Sequence, residues 1–237
     1  MATRADKRSS STIRPILITP CLLSRDGSAS FSFGTYIITK IKSFVTGKTR
    51  VLCSVNGPAE VKLRDEKLDK ATIDVVVRPL VGAPGTKDKT HEYILRSTFE
   101  SIVQSGLHPR TQIQIVSQVM VDDGSIIAAA INATTMALID AGIPMKDIVA
   151  AVSCVINKDD QILLDPTLQE MENVKSVHTF AFNKTTSSLL FCESLGLFTD
   201  DQYFNCYELC NAAADVIFDK MREFITNKLK EEYQIES

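Results

Sequence analysis

The stretch TQIQIVSQVMVDDGSIIAAAINATTMALIDAG, residues 111–142, decides the fold. Its first part alternates apolar and polar residues with a period of two, which predicts a half-buried strand. Asp122-Asp123-Gly124 then indicates a turn, and Ser125 is suited to cap a following helix. From there to Asp140 the chain is apolar on nearly every side, which is typical of a helix buried in a core. The stretch therefore predicts a strand, a tight turn and a buried helix at the centre of an α/β or α+β domain.

The flanking sequence adds further elements on both sides of this central unit. Apolar runs bounded by turn residues predict strands, and an apolar stripe with helical spacing predicts a helix on each side. The predicted strands and helices include 51–55, 72–79, 90–105 and 148–156, with a last helix that begins at Asp200. No internal repeat or linker divides them. We therefore predict one domain over residues 24–235, preceded by a polar, charged and disordered tail over residues 1–23.

Composition excludes several classes of protein. The 237 residues are 44% hydrophobic and 23% charged, which is typical of a soluble globular protein. A net charge of −3 argues against nucleic-acid binding through bulk charge, although a local basic strip remains possible. No apolar run is long enough to span a membrane. The six cysteines lie mostly within apolar runs, which favours structural thiols in a reducing compartment, the cytosol or the nucleus.

Motifs that would define an enzyme are weak. The sequence has no Walker-type phosphate loop, no G-x-G-x-x-G and no G-x-S-x-G. Asp159, Asp160 and Asp165 have the chemistry to hold magnesium, but the pattern favours hairpin-tip positions for the first two and a turn before Pro166 for Asp165. Lys62, Arg64 and Lys67 have the charge to line a nucleic-acid path, but the acidic residues between them favour an ordinary charged surface. These residues alone indicate only an α+β domain.

A series of motifs in register carries a resemblance to a known family. The motifs are GSASFSFG (27–34), VLCSVNGPAEVK (51–62), VVVRP (75–79), HPRTQIQIVSQVMVDDGS (108–125), INATTMALIDAGIPM (131–145) and LLDPT (163–167). In this order they resemble the RNase PH family, and within it the RNase PH-like ring subunits of the eukaryotic RNA exosome. The resemblance covers roughly residues 24–233.

The resemblance implies a fold, a function and a set of partners. The fold would be an RNase PH-like α/β (α+β) sandwich with a left-handed βαβ crossover. The chain would sit in a six-membered ring with other RNase PH-like subunits, beneath S1/KH-type cap subunits, and guide single-stranded RNA. It would support 3′-to-5′ processing and decay of RNA, including ribosomal RNA, in the nucleus (nucleolus) and cytoplasm. Neither a cofactor, a bound metal nor a membrane is expected.

The same resemblance identifies the positions where active members bind phosphate and carry out phosphorolysis. Arg96 matches the first phosphate-binding arginine, but the second falls, by register from Gly124-Ser125, on Ile126. Asp165 matches the first catalytic aspartate, whereas the second falls near Met171. Because isoleucine can neither bind nor hydrogen-bond an oxyanion, we expect Arg96, Ser125, Ile126 and Asp165 to be vestiges of a lost site. The alternatives are an active phosphate-dependent exoribonuclease and, for Arg96, a salt-bridge partner.

Two further expectations follow from the resemblance. Basic residues just after the G-P-x-E motif face the RNA path in the family, which assigns Lys62, Arg64 and Lys67 to RNA binding. The chain also departs from the family by thirteen apolar-rich residues, Thr35–Gly47, inserted in a hairpin. They are either an interface element or a translated intron in the gene model.

Overall fold

The computed structural model describes residues 4, 8–20, 26–33, 49–172 and 174–233. Its strands are β1 (Ile16–Pro20), β2 (Gly27–Phe33), β3 (Thr49–Glu60), β4 (Thr72–Arg78), β5 (Thr111–Val121), β6 (Val149–Asn157), β7 (Ile162–Leu164), β8 (Val174–Asn183) and β9 (Leu189–Gly196). Its helices are α1 (Thr86–Ile102), α2 (Ile126–Asp140), α3 (Leu168–Met171) and α4 (Asp200–Tyr233).

The strands form two sheets. One has the order β1-β2-β3-β5-β4 and the other the order β7-β6-β8-β9. Among the described strands, only β4 and β5 pair in parallel, and α1 connects them, so a βαβ crossover is present. The predicted mixed α/β fold is thus confirmed.

Helix α2 lies between the two sheets, as its apolar sequence predicts. It packs against β2 and β3 of the first sheet and against β6 of the second. The fit is close on the β2 side, because a Cβ on Gly27 would lie 2.4 Å from the Ala137 carbonyl oxygen. Small alanines on α2 allow this approach, and the helix is buried on nearly all sides.

Helix α4 covers the second sheet and buries the cysteines there. Cys154 on β6 lies against Cys206 and Cys210 on α4, and all three are fully buried. On the first sheet, burial of the Cys53 thiol raises its pKa to about 12. The cysteines that the structure describes are free thiols, and no described group of three or more His, Cys, Asp or Glu side chains is placed to hold a metal ion. No helix among the described residues is both long and apolar enough to cross a membrane.

The N-terminal segment corrects the sequence prediction. Disorder was expected through residue 23, yet residues 16–20 form β1, which pairs with β2 at the edge of the first sheet. Arg14, just before β1, is only 2% exposed. The prediction failed because the alternating isoleucines Ile16 and Ile18 follow a run of polar residues that dominated the local composition. The insertion at 35–47 lies outside the described residues, and Phe33 pairs with Thr49 on either side of it.

Candidate functional site

A cleft of about 450 Å³ opens where the N-terminus of α2 meets α1, β8 and β9. Most of its lining is apolar. The lining residues are Lys87, Thr90, His91, Asp122, Gly124, Ser125, Ile126, Ile127, Ser153, Leu168, Met171, Val177, Thr179, Glu193 and Leu195. Two of the predicted site residues, Ser125 and Ile126, are therefore in the cleft.

The turn before α2 fixes the position of both residues. Gly124 has φ of 86°, and a Cβ there would lie 2.6 Å from the Pro166 carbonyl oxygen, so the turn packs tightly on the loop after β7. Ser125 is left-handed too, with φ of 57°, and its hydroxyl donates to the Pro166 carbonyl at 3.4 Å. The predicted role of Ser125 as a side-chain cap is wrong, since that hydroxyl makes no capping bond to α2.

Ile126 begins α2 and presents hydrocarbon to the cleft. The first amide groups of a helix carry partial positive charge and have no partner within the helix. A neighbouring arginine would extend this field toward a phosphate, whereas isoleucine adds no charge and no hydrogen bond. The position thus lacks the cation that binding of a phosphate anion requires.

Asp165 is buried and fully engaged with Arg14. Its two carboxylate oxygens accept from the Arg14 Nη2 at 2.6 Å and the Arg14 Nε at 2.7 Å. The Arg14 backbone amide donates to the same carboxylate at 3.0 Å, and Arg8 lies 3.7 Å away. Asp165 is 2% exposed and does not line the cleft. The Asp165 carboxylate is therefore bound by arginine within the protein and is not presented to the cleft.

The second aspartate position carries no carboxylate in the cleft. Met171 lines the cleft at that position, while the preceding Glu170 accepts two bonds from Arg4, at 2.7 and 2.8 Å. Burial acts to raise the pKa of the Glu170 carboxyl, but the bonds from Arg4 and the Thr167 amide outweigh it and lower that pKa. Glu170 is thus an ionised partner of Arg4.

Arg96 is not part of the cleft. Lys87, Thr90 and His91 present one face of α1 to it, and Arg96 lies nine residues after Lys87, about two and a half helical turns onward and on the opposite face. Its guanidinium instead lies 3.6 Å from the Asp74 carboxylate. The structure therefore separates Arg96 from Ser125 and Ile126, and it matches the salt-bridge alternative.

Lys87 and His91 are cleft residues that the sequence analysis missed. Desolvation lowers the pKa of His91, which favours the neutral imidazole. Within the described part of the chain, the charged residues lining the cleft are then Lys87, Asp122 and Glu193, one cation against two carboxylates. The helical spacing of Lys87, Thr90 and His91 was a usable signal, but the predicted helix began at residue 90, too late to include Lys87.

The three basic residues assigned to RNA lie together on the loop between β3 and β4. Lys62 is exposed, the Arg64 side chain is 88% exposed and the Lys67 side chain is 40% exposed, the last 3.8 Å from Glu100. A second loop brings Arg110 beside them, because the Arg110 amide donates to the Lys67 carbonyl at 3.2 Å. Sequence reasoning missed Arg110 because this contact joins two separate loops.

This basic loop and the cleft lie at opposite ends of the first sheet. Glu60 at the end of β3 pairs with Thr111 at the start of β5, and β5 ends at Val121 beside the cleft. The rise along a strand of this length separates the two regions by roughly 30 Å. The loop therefore does not serve the cleft directly.

Comparison with known proteins places the chain in a family. Residues 12–144 match the 3′ exoribonuclease family, domain 1, and residues 147–212 match its domain 2. These ranges correspond to the first sheet with α1 and α2, and to the second sheet with the start of α4. The chain belongs to the 3′ exoribonuclease (RNase PH) family.

Within that family the chain is similar to exosome proteins. It is 34% identical over 183 residues to "Exosome complex component rrp46" of Schizosaccharomyces pombe, covering 76% of this chain and 80% of that protein. It is 32% identical to the rice "Exosome complex exonuclease RRP46 homolog", covering 93% and 94%. The crystal structure of rice Rrp46 superposes with a TM-score of 0.84 over 94% of this chain and 100% of that one. An archaeal exosome core, at 18% identity and a TM-score of 0.75, shares the fold.

Proposed function

We propose that this chain is a structural, RNA-guiding subunit of an RNA exosome and supports 3′-to-5′ processing and decay of RNA without phosphorolytic activity of its own. The names and the extent of the similar proteins support the exosome role. Two observations support the absence of activity: the cleft has isoleucine at position 126, and Asp165 is bound to Arg14 outside the cleft.

Charge explains why this arrangement does not support phosphorolysis. The reaction needs cations placed to bind inorganic phosphate and to stabilise the charge that develops as it attacks. Among the described residues that line the cleft, Lys87 is the only cation, against the carboxylates of Asp122 and Glu193. The cleft therefore has a net negative charge and a mostly apolar lining, and both disfavour binding of a phosphate anion.

Exposed apolar side chains support assembly with protein partners. Leu195, Leu197, Phe198 and Phe204 follow one another from the end of β9 into α4, and the Leu197 side chain is 84% exposed. Apolar groups of this size on a surface commonly mark a contact with another protein. We assign the partners as other RNase PH-like subunits in a six-membered ring with S1/KH-type caps, in the nucleus (nucleolus) and cytoplasm.

RNA guidance is assigned to Lys62, Arg64 and Lys67. We expect the Lys62→Glu, Arg64→Glu double variant to lower RNA affinity of the assembled ring by roughly tenfold or more at low salt, because each reversed charge replaces a phosphate contact with repulsion. RNase protection of single-stranded RNA in the ring measures this effect. The control is the Lys220→Glu, Arg222→Glu double variant, which also reverses one lysine and one arginine charge, but on the exposed face of α4.

Comparison of the two double variants tests whether the loop between β3 and β4 binds RNA. Both variants should keep the unfolding midpoint of the wild type, since both pairs are exposed. Equal protection by the two variants would remove the RNA assignment from residues 62–67 and leave the exosome role intact.

The second candidate is an active phosphate-dependent exoribonuclease. The word exonuclease in the names of the rice and Arabidopsis thaliana relatives favours it. Incubation of the purified chain with RNA, inorganic phosphate and Mg²⁺ separates the two candidates. Release of nucleoside diphosphates supports the exoribonuclease, and intact RNA supports the structural role.

A further inference from the structure

Strand β9 is an open edge of the second sheet. The sheet order β7-β6-β8-β9 places it outermost, and among the described residues no strand pairs with its outer side. The strand runs for 8 residues, Leu189–Gly196, and both Leu195 and Gly196 are exposed. An exposed edge of this length offers a row of main-chain donors and acceptors to another chain.

The register with β8 shows which main-chain groups face this edge. The amide of Leu197, just after β9, donates to a β8 carbonyl oxygen at 3.1 Å. In an antiparallel pair, residues whose main-chain groups face the partner strand alternate with residues whose groups face away. Leu195 and Glu193 therefore bond inward to β8. Ser194 and Cys192 direct their amides and carbonyls outward, to the open edge.

Side chains of the same strand open into the cleft. Glu193 lines the cleft beside its β8 partner, Thr179. Leu195 lines it beside its own β8 partner, Val177. A strand added beside β9 would continue these two rows, because side chains at paired positions project from the same face of a sheet. Alternate side chains of the added strand would therefore enter the cleft, whose volume is about 450 Å³.

The cleft specifies the chemistry of these side chains. Beside the Glu193 carboxylate, a lysine or arginine gains a charge partner. Beside Leu195, which is 60% exposed, an apolar side chain removes hydrocarbon surface from water. Asp122 adds a second carboxylate to the lining, and the net negative charge repels the phosphates of a nucleic acid. An extended peptide supplies both the main-chain groups and the alternating side chains that such a site recognises.

We propose that the open edge of β9 and the cleft together bind an extended segment of another protein. The segment adds a strand to the second sheet and places an apolar side chain beside Leu195 and a lysine or arginine beside Glu193. The inference rests on the proposed function, since a cleft without phosphorolysis leaves this face open to a protein ligand. It adds a strand-pairing contact to the exposed apolar side chains already assigned to assembly.

A fluorescein-labelled peptide, acetyl-Thr-Lys-Thr-Leu-Thr-Lys-Thr-amide, is the probe for this site. Its sequence reads the same in both directions, so it fits β9 in either polarity. Titration with the purified chain, followed by fluorescence anisotropy, should show saturable binding. N-methylation of the two central threonines, whose amides would face β9, should weaken binding roughly tenfold or more, because two main-chain bonds are lost. N-methylation of the leucine, whose amide faces away from β9, is the matched control and should change the affinity little.

A charge exchange tests the side-chain contact. Glu193→Lys should bind the lysine peptide roughly tenfold more weakly and should instead prefer a peptide with glutamate at both lysine positions. The control is Glu208→Lys on the exposed face of α4, which should keep the preference of the wild type. Thermal unfolding establishes that both variants fold. If Glu193→Lys does not fold, the comparison of the N-methylated peptides with the wild type decides the matter.

Four outcomes would overturn the inference. They are the absence of saturable binding, equal weakening by the two kinds of N-methylation, and a folded Glu193→Lys protein that still prefers the lysine peptide. The fourth is a dimer of the wild type, seen in sedimentation, that Leu195→Asp dissociates, because a second copy would then occupy the edge. Phosphorolysis by the wild type, measured without peptide, would overturn the proposed function instead, so the two failures are distinguishable.

Discussion

Asn132→Leu should lower the free energy of unfolding by about 4 kcal/mol, which is large relative to the stability of most domains. Asn132 is fully buried in α2, and its carboxamide exchanges two hydrogen bonds with the backbone of Ala151 on β6, at 3.0 and 2.8 Å. Strand β7 pairs with β6 only at Cys154–Ile156, so the asparagine takes the place of a missing neighbouring strand. Leucine would leave the Ala151 amide and carbonyl buried and unpaired.

Chemical denaturation measures this effect, and Thr135→Val is the matched control. Thr135 is equally buried in α2, and its hydroxyl donates to the carbonyls of Ile131 and Val149. Valine retains the shape and leaves only acceptors behind, so a loss of about 1 kcal/mol is expected. Equal losses in the two variants would contradict the view that the Asn132 amide completes the edge of β6.

Ile126→Arg should strengthen binding of inorganic phosphate to the cleft by roughly tenfold to a hundredfold, the range for a charge-assisted hydrogen bond. The new guanidinium would stand at the positive end of α2 and on the same cleft as Lys87. Calorimetric titration with phosphate measures the gain, and Ile126→Gln, which is polar but uncharged, is the control.

The same variant should still release no nucleoside diphosphates from RNA. Asp165 remains bound to Arg14 and away from the cleft, and Met171 supplies no carboxylate. The expected result is therefore phosphate binding without turnover. Turnover by Ile126→Arg would mean that the missing arginine was the only defect and that Asp165 is available for catalysis.

Local pattern predicted the centre of the fold well. The alternation in β5 and the apolar surface of α2 arise from burial against fixed neighbours, so they are visible in sequence. The position of Ile126 followed from the Gly-Ser turn that precedes it, and the structure brings Ile126 and Ser125 to one cleft. The register of the motifs predicted the positions of Ser125 and Ile126 because the turn before α2 fixes where both residues lie.

Long-range pairing was not predictable in the same way. Arg14 and Asp165 are 151 residues apart, and nothing in the local sequence around Arg14 indicates a buried partner. The two alternatives for Arg96 could not be separated from sequence, because the face on which it lies is set by where α1 packs, and that packing places it beside Asp74. The contact of Arg110 with the basic loop depends likewise on how two loops meet in space.

The most direct test of the central claim is phosphorolysis by the wild-type chain. Purified protein is incubated with a single-stranded oligoribonucleotide, Mg²⁺ and radiolabelled orthophosphate, and the products are separated by chromatography. An active phosphorolytic ribonuclease in the same buffer provides the positive control. We predict that no label enters nucleoside diphosphates and that the RNA keeps its length. Labelled nucleoside diphosphates that increase with enzyme concentration would contradict the account.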